Sequence, residues 1–138
     1  MSVNIITFEI PGDAVAKARP RFNGKTGRTY TPAKTKHYDT HVKTVAMQHA
    51  PKEPLTGPLE AKLIFYRPML KSFSKKRQQE AEDGFYRPMT KPDLDNVVKS
   101  VLDAMNGIMF KDDAQIITLI AEKYYSHEPR VYVEIVEM

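Results

Sequence analysis

Three aspartates occur at a spacing that could bind a divalent cation. Asp93 and Asp95 are separated by one residue at the start of an amphipathic segment, and Asp113 follows that segment. Three carboxylates in one cleft repel one another, so at least one pKa would be raised unless a cation were bound. Oxygen ligands suit Mg²⁺, which keeps several waters and shares its coordination shell with phosphate. The three residues therefore predict a metal site suited to phosphodiester hydrolysis.

A lysine accompanies these acids. Lys99 lies four residues beyond Asp95, so both side chains share one face of a helix. An ammonium group there can neutralise transition-state charge or orient the attacking water. Asp95 is expected to cap the helix, and Asp113 to begin the following strand. Caps, a surface Asp95–Lys99 ion pair and solvated turns are also common uses of such residues, so that interpretation stays open. Asp103 and Asp112 are expected to be structural.

The elements that must position these residues follow from hydrophobic periodicity. Helical spacing predicts one helix starting at Thr31-Pro32, with Thr31 as its N-cap, and another after Pro92, while a short helix is expected from Ser74 to Asp83. Runs of β-branched, aromatic or alternating apolar residues predict four strands. These strands lie at 3–10, 59–65, 116–124 and 130–136.

The order of these elements is strand, helix, strand, small helix, helix, strand, strand. It predicts a mixed α/β (α+β) fold in which helices pack on one four-stranded mixed sheet. The last two strands are expected to pair with each other through a turn at 127–129. The length of 138 residues suits a single domain spanning 1–138.

Composition excludes several classes of protein. The chain has no Cys, which excludes a disulfide framework, a thiolate metal site and a cysteine nucleophile. It contains no long apolar run and no signal-peptide pattern, so a soluble cytoplasmic protein without a membrane partner is expected. The net charge of +4 divides into +5 over residues 1–50, +4 over 51–91 and −5 over 92–138. This asymmetry favours a nucleic-acid partner.

Two segments between the predicted elements are distinctive. Residues 17–36 contain Lys and Arg but no acid, and they are expected to form a basic hairpin or loop on the surface. Phosphate binding is favoured there over a merely solvated loop because no acid opposes it. Residues 67–92 form a polar, proline-bracketed segment. The pentapeptide Phe-Tyr-Arg-Pro-Met occurs twice, at 65–69 and 85–89, and no sequence argument explains the repetition.

The spaced acidic motif resembles that of RusA-type Holliday junction resolvases. It consists of Lys91-Pro92-Asp93-Leu94-Asp95-Asn96-Val97-Val98-Lys99, Leu102-Asp103-Ala104-Met105-Asn106-Gly107 and Asp112-Asp113-Ala114-Gln115-Ile116. Further stretches are similar to the branch found in Gram-positive bacteria and their phages. They are Lys17-Ala18-Arg19-Pro20-Arg21-Phe22 with Tyr30-Thr31-Pro32, and Lys71-Ser72-Phe73-Ser74-Lys75-Lys76-Arg77.

The resemblance implies a homodimeric, Mg²⁺-dependent endodeoxyribonuclease that resolves four-way DNA junctions by paired symmetric nicks in recombination and repair. Mn²⁺ is an alternative ion, and no small-molecule cofactor is implied. The family's metal ligands match Asp93, Asp95 and Asp113, and its essential lysine matches Lys99, all within a catalytic motif spanning 93–116. The expected partners are branched DNA and a second copy of the chain. The candidate DNA contacts are Lys17, Arg19, Arg21, Arg28, Lys75, Lys76 and Arg77.

Two other functions remain open from the residues themselves. A non-catalytic phage DNA-binding protein would use the acids only as caps and turns. A nucleotide- or sugar-transferring enzyme would use the D-x-D pair with a metal. That enzyme would also be expected to have a glycine-rich phosphate loop, and neither a G-x-G-x-x-G nor a P-loop pattern occurs in the sequence.

Overall fold

Four strands pair into one mixed sheet in the computed structural model, which describes residues 4–18 and 20–138. Val3, predicted to begin the first strand, and Arg19, a predicted DNA contact, lie outside the described residues. In chain order the elements are β1 (Ile5–Pro11), β2 (Arg21–Asn23), β3 (Arg28–Tyr30), α1 (Ala33–Met47), β4 (Leu59–Pro68), α2 (Lys75–Glu82), α3 (Leu94–Met105), a 3₁₀ turn (Asp113–Gln115), β5 (Ile116–Ser126) and β6 (Arg130–Glu137). This confirms the predicted fold class.

The strand order is β1-β6-β4-β5. β4 pairs in parallel with β5 along one edge and antiparallel with β6 along the other. The predicted pairing of β5 with β6 is therefore wrong, because β4 lies between them. A parallel neighbour requires a long crossover from one end of a strand to the other. The chain through α2 and α3 supplies it and leaves β5 on the open edge of β4.

The core lies between the sheet and the helices α1 and α3. β4 alternates buried and half-buried residues along its length, as expected for a strand covered mainly on one face. The helix residues that enter the core from α1 include Tyr38, Val42 and Ala46, and those from α3 include Val97 and Val101. None of the helices in residues 4–18 and 20–138 has both the length and the apolar character of a membrane span.

Two of the predicted helix starts are wrong by one or two residues. The N-cap of α1 is Pro32 and not Thr31, because Pro32 has an extended ψ of 142° while its carbonyl accepts from the N–H groups of Thr35 and Lys36. The N-cap of α3 is Asp93, which also has an extended backbone. Asp95 therefore lies inside the first turn instead of capping the helix.

The short helix α2 confirms its predicted limits. The Ser74 hydroxyl accepts from the N–H of Arg77, as an N-cap should. Gly84 follows the helix with φ of +84°, a conformation that side-chain-bearing residues rarely adopt. Asp113 was predicted to begin a strand, but it opens the 3₁₀ turn, and β5 begins at Ile116.

Candidate active site

A groove of about 580 Å³ runs between α3 and β5. It brings together three of the four predicted catalytic residues, Asp95, Lys99 and Asp113. Asp95 and Lys99 are one helical turn apart on α3, and the 3₁₀ turn carries Asp113 to the same groove just before β5. Its other lining residues are Leu94, Val98, Leu102, Leu119 and Ala121. The site is therefore a polar edge on a largely apolar groove.

Asp93 stands at the start of α3, beside a lysine from the sheet. Its exposed carboxylate forms no capping hydrogen bond with the helix. Lys123 on β5 donates from Nζ to the carbonyls of Thr90 at 2.7 Å and Pro92 at 3.0 Å. Burial and the charge of Arg67 lower the pKa of Lys123, and the negative charge of Asp93 partly opposes this. Lys123, which the sequence motif did not indicate, thus holds the segment that leads into Asp93.

Asp113 lies in an environment crowded with negative charge. Burial raises the pKa of its carboxyl, and a hydrogen bond with Asp112 and the charge of Asp103 raise it further. The backbone N–H of Asp113 donates to Asn106 at 2.9 Å. The side chain of Gln115 accepts from the N–H of Asp112 at 2.9 Å and closes the turn. A cation at Asp113 would relieve this accumulated charge.

Asp103 joins two lysines that were predicted to have separate functions. It accepts from Lys17 at 2.5 Å and lies 3.3 Å from the ammonium of Lys99. Burial alone would raise the pKa of Asp103, but the two lysines outweigh it and hold that pKa below its usual value. Lys99 thus pairs with Asp103 and not with Asp95. The i,i+4 spacing of Lys99 and Asp103 was the sequence signal for this contact.

The donor set fits a hard cation, although the side chains are not gathered around one. Within the described ranges, no three His, Asp or Glu side chains are grouped closely enough to hold a metal ion. Asp95 and Asp113 share the groove, and Asp93 is two residues before Asp95. All three offer carboxylate oxygens, the ligands that Mg²⁺ and Mn²⁺ prefer. Burial, and then the neighbouring Asp112 and Asp103, raise the pKa of Asp113, so a cation there would favour its ionised form.

Two described residues of the basic segment 17–36 lie close to this site. Its strands β2 and β3 pair as a hairpin with every residue exposed, including Arg21 and Arg28. Arg21 lines a cleft with Arg67 and Pro92, next to the start of α3. Lys17 reaches the site directly through Asp103. Lys17 and Arg21 of this segment therefore lie close to the acidic site.

The second basic cluster is on α2, where Lys75, Lys76 and Arg77 are exposed. The guanidinium carbon of Arg77 lies 4.1 Å from the centre of the Tyr86 ring. This contact ties α2 to the loop that follows it. The loop continues through Lys91 and Pro92 into Asp93, so α2 is linked to the candidate site by a short, braced segment.

Comparison with known proteins places the chain among DNA-cleaving enzymes. Residues 11–136 match the family described as Endodeoxyribonuclease RusA. The chain is also similar to the uncharacterized protein YqaN of Bacillus subtilis (strain 168). The two are 45% identical over 140 residues, which cover 99% of each chain. The match includes the whole α3 groove and most of the sheet.

Proposed function

The chain belongs to the RusA endodeoxyribonuclease family, and from that premise we propose a Mg²⁺-dependent enzyme that cuts four-way DNA junctions by paired symmetric nicks. The family consists of Holliday junction resolvases, so the enzyme is an endodeoxyribonuclease. One observation carries the finer proposal. Asp95, Lys99 and Asp113 line one groove, and Asp93 is two residues before Asp95 in the sequence.

The metal site would use the three predicted carboxylates. Asp93, Asp95 and Asp113 would hold Mg²⁺ or Mn²⁺, after rotation of the exposed Asp93 and Asp95 side chains towards Asp113. A bound divalent cation supplies Lewis-acid activation of the phosphodiester. Asp93 and Asp95 lie at the N-terminus of α3, whose helix dipole interacts favourably with negative charge.

Lys99 would act on the phosphate. Its side chain is 62% exposed, while Asp103 holds its ammonium from the helix side at 3.3 Å. This arrangement fixes the direction of the lysine without covering it, so a phosphate oxygen in the groove can accept a hydrogen bond. Because Lys17 also donates to Asp103, a phosphate bound by Lys17 would change the contacts of the carboxylate that holds Lys99. Lys99 and Lys17 thus share one carboxylate anchor.

DNA would approach across the basic surfaces on both sides of the groove. The hairpin β2–β3 and the helix α2 supply exposed cations to the phosphates of the junction arms. Neutralising phosphates releases bound counterions, so affinity should fall with salt at a log-log slope of about −0.9 per contact. The proposed contacts that the structure describes are Lys17, Arg21, Arg28, Lys75, Lys76 and Arg77.

A second copy of the chain would complete the enzyme. A four-way junction has two-fold symmetry, and two opposed strands must be cut to resolve it, which suits a two-fold dimer with identical sites. β5 is an edge strand of the sheet and exposes Ile117, Leu119 and Ile120. An apolar, unpaired edge is a surface that proteins usually cover. Since Leu119 also lines the groove, pairing at this edge would bring the two sites close together.

The proposal is tested by cleavage of a synthetic four-way junction, with flap and linear duplex substrates in parallel. The wild type is expected to nick two opposed strands of the junction only when Mg²⁺ or Mn²⁺ is present. Asp93→Asn should reduce cleavage by about 100-fold or more, because a metal ligand is lost. Asp39→Asn removes a carboxylate that pairs with Lys43 on α1 and serves as the matched control. Cleavage by Asp93→Asn at the wild-type rate would refute the assigned site.

One observation favours a second candidate, a non-catalytic DNA-binding protein. Among residues 4–18 and 20–138 the three acids are not gathered at metal-binding distance. Thermal unfolding separates the candidates, since a metal that binds only the folded state raises the Tm. The nuclease is expected to gain stability with Mg²⁺, and Asp93→Asn to gain less. Junction binding with neither cleavage nor a Mg²⁺-dependent Tm would support the second candidate.

A further inference from the structure

The loop 85–89 exposes two large apolar side chains beside the candidate site. Phe85 is 83% exposed and Met89 is 89% exposed. Three residues separate Met89 from Asp93 along the chain. Neither side chain packs in the hydrophobic core of the described residues. Phe85 and Met89 therefore add little to the hydrophobic core and are accessible to a ligand.

The side chains between them hold the loop in place. Tyr86 stacks on Tyr125 with ring centres 5.8 Å apart and ring planes 13° from parallel. Arg87 lies 4.1 Å above the ring of Tyr124. Pro88 is buried. The three middle residues therefore face the protein, and the two outer residues face solvent from a braced backbone.

Both ends of the loop are anchored as well. At the first end, Gly84 turns the chain out of α2 with φ of +84°, and the N–H of Phe85 donates to the carbonyl of Glu80 at 2.9 Å. At the second end, Lys123 binds the carbonyls of Thr90 and Pro92. The loop is thus presented rigidly next to the start of α3.

The charges around the loop favour a nucleic acid over a protein. Arg77 and Lys91 are exposed at its two ends. Two acids of the same segment are engaged within the protein, since Asp83 accepts from Gln79 at 3.0 Å and Glu82 accepts from Ser126 at 3.3 Å. Two isolated side chains provide far less area than the roughly 800 Å² per partner of a stable protein interface. They are sufficient to stack on or wedge between bases, for which proteins use Phe and Met.

We propose that Phe85, supported by Met89, stacks on bases exposed at the branch point of the DNA. This rests on the proposed function, because a branch point supplies the unstacked bases that continuous duplex lacks. The contact would recognise DNA structure, while the surrounding cations bind any phosphate backbone. It would also fix the distance between the branch point and the metal site, which begins at Asp93, eight residues after Phe85. Phe85 is therefore a specificity residue for branched DNA.

The experiment measures binding in EDTA, so that it does not depend on cleavage. A four-way junction carrying 2-aminopurine next to the branch point is titrated with the full chain, and its Kd is compared with that of a linear duplex. The variants are Phe85→Ala and Phe85→Tyr, which keeps a flat ring. Met47→Ala removes another exposed apolar side chain, at the far end of α1, and is the control.

The wild type is expected to change the 2-aminopurine fluorescence, because Phe85 would stack on the exposed probe base. Phe85→Ala should weaken junction binding about ten-fold, leave duplex binding unchanged and lose the signal. Phe85→Tyr and Met47→Ala should behave like the wild type. Wild-type fluorescence and junction affinity in Phe85→Ala would overturn the proposal. So would a change in sedimentation coefficient without a change in DNA binding, since that would show a contact between protein chains.

A separate cleavage assay tests the proposed nuclease function. If the wild type does not cut the junction with Mg²⁺ or Mn²⁺, the nuclease proposal is refuted, whereas the EDTA titration still decides whether Phe85 contacts the branch point.

Discussion

The pentapeptide Phe-Tyr-Arg-Pro-Met has opposite environments in its two copies. In the first copy Phe65 lies on β4 and is 1% exposed within the core. In the second copy Phe85 lies in a loop and is 83% exposed. Both copies contact Tyr124. The ring of Tyr66, from the first copy, lies 6.1 Å from the Tyr124 ring, and the guanidinium carbon of Arg87, from the second, lies 4.1 Å from the centre of the Tyr124 ring. Identical residues thus form core in one place and surface in the other.

The difference teaches that the element, and not the residue type, decides burial here. In β4 alternate side chains face the helices, and Phe65 occupies one of the inward positions. Phe85 follows the positive φ of Gly84 and emerges from the end of a helix. Tyr66, Tyr86 and Arg87 contact aromatic rings at the end of β5, whereas Arg67 pairs with Asp13. Only the outer residues of the second copy remain free for a ligand.

The largest expected difference in stability between the two copies is at Phe65 and Phe85. Phe65→Ala should lower the free energy of unfolding by about 3–5 kcal/mol, because it leaves a cavity in the core. Phe85→Ala should change it by less than about 0.5 kcal/mol. Urea unfolding of both variants measures the difference. Equal losses would show that Phe85 is structural, and the proposed DNA contact would lose its basis.

A smaller difference in stability is expected between variants of Arg67 and Arg87. Arg67 donates to Asp13 at 2.8 Å and is the more buried of the pair of arginines. Arg67→Met should cost about 1–2 kcal/mol, since it leaves a part-buried carboxylate without its donor. Arg87→Met should cost less, because its contacts with Tyr124 and Glu122 are more open to water. The same urea series checks this order, and a larger loss for Arg87→Met would contradict it.

The smallest expected effect is a pH dependence of stability at Asp13, the ion-pair partner of Arg67 in the first copy. Burial raises the pKa of Asp13, and Arg67 offsets this only in part. The folded protein therefore binds this proton more tightly than the unfolded chain, so ionised Asp13 lowers stability at neutral pH. That cost disappears as the pH falls through the raised pKa towards the usual value near 3.8.

Asp13→Asn, which cannot ionise, tests this linkage. It should be more stable than the wild type near pH 7 and lose that advantage near pH 3. The advantage near pH 7 should grow in an Arg67→Met background, because the offsetting charge is gone. Thermal unfolding at both pH values gives the comparison. A stability difference that is independent of pH would show that the Asp13 carboxyl is not perturbed by folding.

Much of the fold could be predicted because its signals are local. The limits of α2 follow from Ser74 and Gly84, which act on adjacent backbone. β6 was visible from the alternation of Val131, Val133 and Ile135, all of which are buried. The pairing of β5 with β6 could not be predicted, since a short turn favours a hairpin unless a third strand takes the position between them. That third strand, β4, comes from a distant part of the chain.

The candidate site also combines contacts that local spacing predicts with contacts between distant segments. Asp95 and Lys99 could be placed together because helical spacing is a local property. Lys17 is 86 residues from Asp103, so their ion pair depends on how the N-terminal segment crosses α3. The same is true of Lys123, which reaches the Asp93 segment from β5. The assignment of the metal ligands and of individual DNA contacts stays a prediction.

The sequence by itself determined the chemical types present: carboxylates and a lysine at helical spacing, an acid-free basic segment and the periodicity of the sheet and helices. These depend on residue identity and near neighbours. Only the tertiary structure decided which Phe of the repeated pentapeptide is in the core, which strands pair with β4 and which lysines pair with Asp103. Those outcomes depend on contacts between distant segments, where packing and charge act across space and the order of residues carries no direct record of distance.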